Sequence, residues 1–299
     1  MVNNSSTNSS IDPILLGDNP LMGVDHLSQE RARQRGIASA SKIVSLLEFA
    51  YSMNVRGFVA STHPQLKGVI EYMLEHTDLS SKINFYPIMP YAYGYVRQMT
   101  EKGIAATIAD ALAPASMHEK MRIVFAGGLS MLRKDINGLL KTFVDVELLP
   151  FNNVNVRCIL LHDVLVDLAL ALRLREIFEL FIEHVEDKHH ARAGFVTKNF
   201  ARLVRQLDEW DIDDKVIMAP FNKVGFQMNP SREECERALR ECKHDVIAMS
   251  TLAAGYLKPE EAYEYLFKLP NIRSVVVGVS NKKHAEETFR LLDDMMRSR

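Results

Sequence analysis

The sequence predicts an α/β protein of the (β/α)8 class, the TIM barrel, and three observations carry that expectation. The stretch Lys243–Leu292 holds two apolar runs, Asp245–Ser250 and Ser274–Val279, each followed by a polar turn and then a helical pattern. Strand, loop, helix and strand make a βαβ unit, which in one sheet implies parallel strands. Similar units recur upstream, and 299 residues at 47% hydrophobic content fit one barrel better than two independent domains. A polar leader over residues 1–11 and a single barrel domain over 12–299 are expected.

Taken in order, Pro13–Leu16 is a first strand running into the loop GDNPLMGVDHL. Ser39 or Ser41 caps a helix to about Asn54, with Ile43, Leu46, Leu47 and Ala50 on one face. Arg56–Ser61 is a strand, Leu66–His76 a helix, and Ile83–Met89 a strand stopped by Pro90 and followed by Tyr91, Tyr93 and Tyr95. Met121–Ala126 reads as a strand too. Val156–Leu161 follows and leads into a long amphipathic helix to about His184. Strands at Ala191–Val196 and Lys215–Ala219 precede the two already described, and Pro259, Glu260 and Glu261 suit the first turn of the helix between those two. That makes nine candidate strands for an eight-stranded barrel, with Met121–Ala126 the expected surplus.

Composition narrows the function classes. A net charge of −2 and a pI near 6.6 provide no field to recruit nucleic acid or an anionic membrane, so a small-molecule partner is expected. Cys158, Cys235 and Cys242 form no CxxC and read as reduced thiols, Cys158 as core. MVNNSSTNSS lacks the basic and apolar regions of a secretory signal, and no segment approaches 18 uninterrupted apolar residues, so a cytoplasmic location is expected. Oligomeric state is not legible.

Parallel barrels place their sites at the C-terminal strand ends, where loops converge over a packed interior. The polar residues there are Asp18 and Asn19, His63, Tyr91 and Tyr93, His162 and Asp163, Lys198 and Asn199, Asn222, and Gly278, Ser280, Asn281 and Lys282. Imidazoles, carboxylates and a lysine support acid–base chemistry on a polar metabolite, with His162, His63, Asp18, Asp163 and Lys198 as catalytic candidates. Asn19, Tyr91, Tyr93, Asn199 and Asn222 are candidate substrate contacts. Each also has a plainer role: His63 shapes a turn before Pro64, Asp18-Asn19-Pro20 forms a turn, and Asn199 caps a helix. His189 and His190 lie in the charged stretch Glu186–Arg192, expected to be a solvated turn. A zinc reading would gather His63, His162 and Asp18 or Asp163, but neither HExxH nor His-x-His spacing supports it, so no metal is assigned.

The order of these runs resembles that of the aldo/keto reductase superfamily, best over Val156–Leu292. VRCILLHD resembles that family's strand ending in Leu-His-Asp, and HARAGFVTKNFARLVRQL its strand ending near Ser-Thr-His-Asn. VIMAPFN, VIAMSTLAAGYL and SVVVGVSNKKHAEETFRLL are similar to the strands that follow, and ILLGDNPLMG to the opening strand. The resemblance implies the barrel and carbonyl reduction with NAD(P)H, using a Tyr proton donor, Lys and Asp to lower its pKa, and His to orient the substrate. Only His162 matches that set. The Asp position falls at Ala60, and the Lys position lies in FYPIMPYA, which has no lysine. By the same resemblance Gly278, Ser280, Asn281 and Lys282, with Lys283, would hold the cofactor phosphate at a helix start. Three readings follow: a non-redox enzyme with His162 and His63 as acid and base; an NAD(P)H-dependent oxidoreductase with Tyr91 or Tyr93 as displaced donor, supported by Lys198; and a non-catalytic ligand-binding barrel.

Overall fold

A computed structural model describes residues 11–23, 37–90 and 136–298. Its strands are β1 Ile14–Gly17, β2 Gly57–Ser61, β3 Asn84–Met89, β4 Asn155–Val156, β5 Cys158–Leu161, β6 Arg192–Val196, β7 Val216–Pro220, β8 Asp245–Met249 and β9 Ile272–Gly278. All pair in parallel with their neighbours, and β1 pairs β9 as well as β2, so the sheet closes on itself. β4 and β5 are halves of one barrel strand. Between them Arg157 keeps the ladder going: its N–H donates to Phe85 O at 2.9 Å and its carbonyl accepts from Arg192 N at 3.2 Å. The result is an eight-stranded barrel, closed without Met121–Ala126, which lies outside the described residues.

Helices α1 Ala40–Ser52, α2 Pro64–His76, α3 Ile136–Leu148, α4 Asp163–Leu172, α5 Arg175–Glu183, α6 Phe200–Glu209, α7 Arg232–Glu241, α8 Pro259–Phe267 and α9 Lys282–Arg297 accompany the barrel. Ser39 caps α1 by accepting from Lys42 N. The single long helix expected from Asp163 to His184 is two helices. Arg173 adopts a left-handed conformation, φ 54°, which ends α4 and lets the chain turn into α5. The stretch Glu186–Arg192, expected to be a solvated turn, is entered through a π-helical turn, His184–Lys188; Asp187, Lys188 and His190 are exposed as expected, but His189 is half-buried beside the buried His184. Among the described residues no helix is long and apolar enough to cross a membrane.

Side-chain alternation along the strands divides the core in two. Outward residues such as Phe58, Phe85, Phe195 and Phe221 meet the helices in one large cluster, with aromatic pairs Phe178–Phe195 at 5.1 Å and Phe200–Phe221 at 5.0 Å. Inward residues Leu15, Val59, Tyr86, Leu160, Met218 and Ile247 fill the barrel, each burial contributing about 1.5–3 kcal/mol. Gly57 and Gly194 make room for them: a Cβ at Gly57 would stand 2.1 Å from Leu15 Cδ2, and one at Gly194 2.7 Å from Leu160 Cδ2. Cys158 belongs to this interior, where burial pushes its thiol far up, in keeping with a core role.

The N-terminal end of the barrel is plugged by a polar network. Tyr86 Oη donates to Asp12 Oδ2 at 2.6 Å, Asn84 Nδ2 reaches both Asp12 oxygens at 3.0 and 2.8 Å, and Asn155 donates to Asn84. The opposite end is where the strands' C-termini open.

Candidate active site

The ends of β1, β2, β5 and β6 bring Asp18, His63, His162, Asp163 and Lys198 onto this one rim. His63 follows β2, His162 follows β5, and β3 lies between them: Thr62 N donates to Ile88 O at 3.1 Å and His162 N to Met89 O at 2.7 Å. Two strand spacings put the two histidine backbones about 10 Å apart. The inward alternation of Leu160 and Val196, carried one step past each strand, falls on His162 and Lys198.

His162 stands at the N-cap position of α4, and its Nδ1 has two neighbours, Val164 N at 3.2 Å and Asp163 Oδ1 at 2.7 Å. One ring nitrogen cannot accept from the first and donate to the second. Asp163 is also bound by Lys198 Nζ, 2.7 Å from Oδ2, so it is ionised and takes the donor. We therefore assign the proton to Nδ1, which leaves Nε2 as the basic nitrogen of the ring. Burial works against the Asp163 charge, but the bonds from His162 and Lys198 outweigh it and hold the carboxyl well below the usual range. His162 and Asp163 side chains are only 14% and 12% exposed, while Lys198 is 38% exposed.

A second carboxylate backs this chain, and the strand-end rule misses it. Asp167, one helical turn beyond Asp163 on α4, accepts from Thr197 Oγ1 at 2.5 Å and from Lys198 N at 3.4 Å. Burial raises its pKa, and its hydrogen bonds pull the other way. The signal available in the sequence was the i, i+4 spacing of the two aspartates, which puts both on one helix face.

Asp18 is 4% exposed at the top of β1 and accepts Ser61 N at 2.8 Å through Oδ2. Burial pushes its carboxyl up to about 7, against the opposing effect of that bond and of its own backbone N–H. Ala60, where the reductase resemblance expects an aspartate, is buried against the helices. A carboxylate nevertheless stands at the end of β2, supplied by β1. His63 caps α2 by accepting Gln65 N at 3.2 Å, and burial lowers its pKa.

Among the other candidates, Asn222 is committed to the scaffold. Asn222, fully buried, spends its amide on the loop after β7: Nδ2 donates to Phe226 O at 2.9 Å and Ser250 O at 3.3 Å, and Oδ1 accepts Phe226 N at 2.8 Å. Asn199 N donates to Thr197 Oγ1 at 2.8 Å, and Asn19 is exposed. Tyr91 and Tyr93 lie outside the described residues. Among those described, His63, His162, Asp18 and Asp163 do not assemble into a three-ligand metal group.

At the start of α9, Asn281 Oδ1 accepts His284 N at 2.9 Å, and the first turn carries no acidic side chain. Lys282 Nζ leans over the Phe49 ring at 5.9 Å. Gly278 lets the Pro20 ring come close, since a Cβ there would stand 3.2 Å from Pro20 Cγ. Ser280 is half-buried between them. The residues fit an anion such as a cofactor phosphate, with Lys283 exposed beside a positive helix end.

The barrel itself has counterparts among solved structures. The chain is similar in structure to a provisionally named aldo-keto reductase from Pseudomonas aeruginosa, with TM-score 0.61 and 12% identity over 97% of this chain and 94% of that one. A provisionally named 2,5-diketo-D-gluconic acid reductase B matches with TM-score 0.53 and 12% identity over 96% and 85% of the two chains. An aldo/keto reductase from Brucella melitensis matches with TM-score 0.52 and 14% identity over 85% of each. No family model matches the sequence, and no curated protein matches it. The likeness is one of fold: the chain carries the barrel of the aldo/keto reductases.

Proposed function

We propose that the chain is a small-molecule enzyme that moves a proton on and off a polar metabolite at the C-terminal rim, with His162 Nε2 as the base and then the acid. The observation that supports this most is the run from His162 Nδ1 to Asp163 to Lys198, two contacts of 2.7 Å that fix one tautomer. Asp18, with its carboxyl raised to about 7, is a second proton carrier suited to neutral pH, and His63 adds an imidazole on the same rim. These groups suffice for hydrolysis, elimination or isomerisation.

A hydride-transferring version of the same site is favoured by two specific observations. The structural neighbours are named as aldo-keto reductases, and the basic start of α9 suits the phosphate of NADP(H). Gly278, Ser280, Asn281 and Lys282 would hold that phosphate, and the nicotinamide would supply the hydride. Asp18 then stands in for the missing carboxylate on β2, and His162 orients the substrate carbonyl while a rim acid protonates its oxygen. Titration with NADPH, followed by its fluorescence, separates the versions. Binding with carbonyl-dependent NADPH oxidation supports the hydride reading, whereas His162-dependent turnover with no NADPH binding at millimolar concentration supports plain proton transfer. Wild-type turnover by His162→Ala would sink both.

A further inference from the structure

A second cluster of titratable groups lies away from the mouth, where α3 meets the turn between α5 and β6. Asp145 of α3 presents Oδ1 to two imidazoles at once, His184 Nε2 at 2.9 Å and His189 Nε2 at 3.0 Å. Its Oδ2 faces the Lys188 ammonium. The two rings meet edge to face with centroids 5.5 Å apart. Among the described residues this is the group of His, Cys, Asp and Glu whose three ligand atoms come within 4.8 Å of one another.

The backbone is shaped to bring them together. Five residues along an α-helix place two side chains about 140° apart, on different faces. The π-turn His184–Lys188 takes in an extra residue and delivers both His184 and His189 to Asp145. Such turns cost helix stability and are found frequently at functional sites.

We infer that Asp145, His184 and His189 form a binding site for a divalent transition metal, with zinc as the reference ion, that ties α3 to the segment entering β6. Two imidazoles and one carboxylate are a donor set zinc accepts, and three protein ligands leave a fourth position for water. Tetrahedral bonds of about 2.0–2.1 Å hold ligand atoms about 3.3 Å apart. The contacts to Oδ1 are already 2.9 and 3.0 Å, and all three ligand atoms lie within 4.8 Å of one another, so seating the ion calls for side-chain adjustments and leaves the backbone in place. Each neutral imidazole moves its proton from Nε2 to Nδ1, which turns an Nε2 lone pair toward the ion without changing the proton count. Lys188 can stay on Oδ2 and orient the ligating carboxylate as an outer partner.

Without an ion the same three side chains are a hydrogen-bonded staple, and the two cases separate in solution. Full-length chain stripped with a chelator is titrated with Zn²⁺ by calorimetry and with Co²⁺ by visible spectroscopy. One ion per chain is expected, with the visible bands of four-coordinate cobalt and a melting temperature that rises with free zinc. Asp145→Asn and His189→Gln should each weaken zinc binding by more than about 100-fold, beyond the 10–100-fold typical of an outer-shell partner. His162→Asn should bind as wild type does, which excludes the mouth histidines as the ligands. Circular dichroism in chelator checks that each variant is folded, and Lys188→Met, which keeps all three ligands, should lose no more than about 100-fold. No uptake by the wild type at micromolar free zinc, or wild-type affinity in His189→Gln, overturns the inference.

Discussion

Strand β1 carries an aspartate at each end, and the two are treated in opposite ways. Asp12, below the barrel, receives Tyr86 Oη and the Asn84 amide on its oxygens, and its own N–H donates to Tyr86 Oη at 3.0 Å. Asp18, at the mouth, is buried with a backbone N–H from Ser61 as its neighbour's donation, and burial pushes it up to about 7. A half-buried carboxylate with several donors closes a barrel. A fully buried one with fewer donors sits near its titration point, where a proton can be exchanged at neutral pH.

The largest test of this contrast is at the mouth. His162→Asn keeps a side chain able to cap α4 but removes the imidazole, so turnover on a substrate found by metabolite screening should fall by about 10²–10⁴-fold with little loss of stability. A fall below tenfold would break the link between the rim and chemistry. At the closed end, Tyr86→Ala should cost about 3–5 kcal/mol in urea denaturation, because it opens a cavity and strands the Asp12 network; turnover per folded molecule should hold.

Asp18→Asn sharpens the comparison through pH. The folded-state pKa of Asp18 is raised, so its ionisation penalises folding: the cost is absent below about pH 4, grows as pH rises, and is complete above about pH 7. The variant should therefore gain on the order of 2–4 kcal/mol over wild type at pH 8 and nothing at pH 4. Equal stability of the two proteins at both pH values would remove Asp18 as a poised acid. The smallest effect belongs to Lys198→Met. Its ammonium is more than a third exposed, so stability should change by about 1 kcal/mol or less. Its loss should raise the Asp163 pKa and move the acid limb of the pH–rate profile upward.

The barrel was legible because its strands are short apolar runs ending in polar turns, and eight of the nine expected runs form the ring. His63, His162 and Lys198 could be placed on one rim by the same rule, since a strand end fixes position without knowledge of tertiary contacts. Asp167 was not legible: inside α4 it looks like any solvated helix residue until Thr197 arrives from β6. His189 was hidden differently. Its burial depends on a π-turn and on Asp145 from a helix far away in sequence, neither of which leaves a local pattern. Asn222 shows the opposite case, a polar residue at a strand end whose amide also bonds to its own loop, which the sequence does not reveal.

Closure of the ring through β1 and β9, with Ile14 opposite Val275, has a consequence for biosynthesis. As the chain leaves the ribosome, one edge of β1 stays without a partner until Ile272–Gly278 emerges. That exposed ladder is a template for pairing between nascent chains, so yield in cells should depend on how quickly translation delivers Ile272–Gly278.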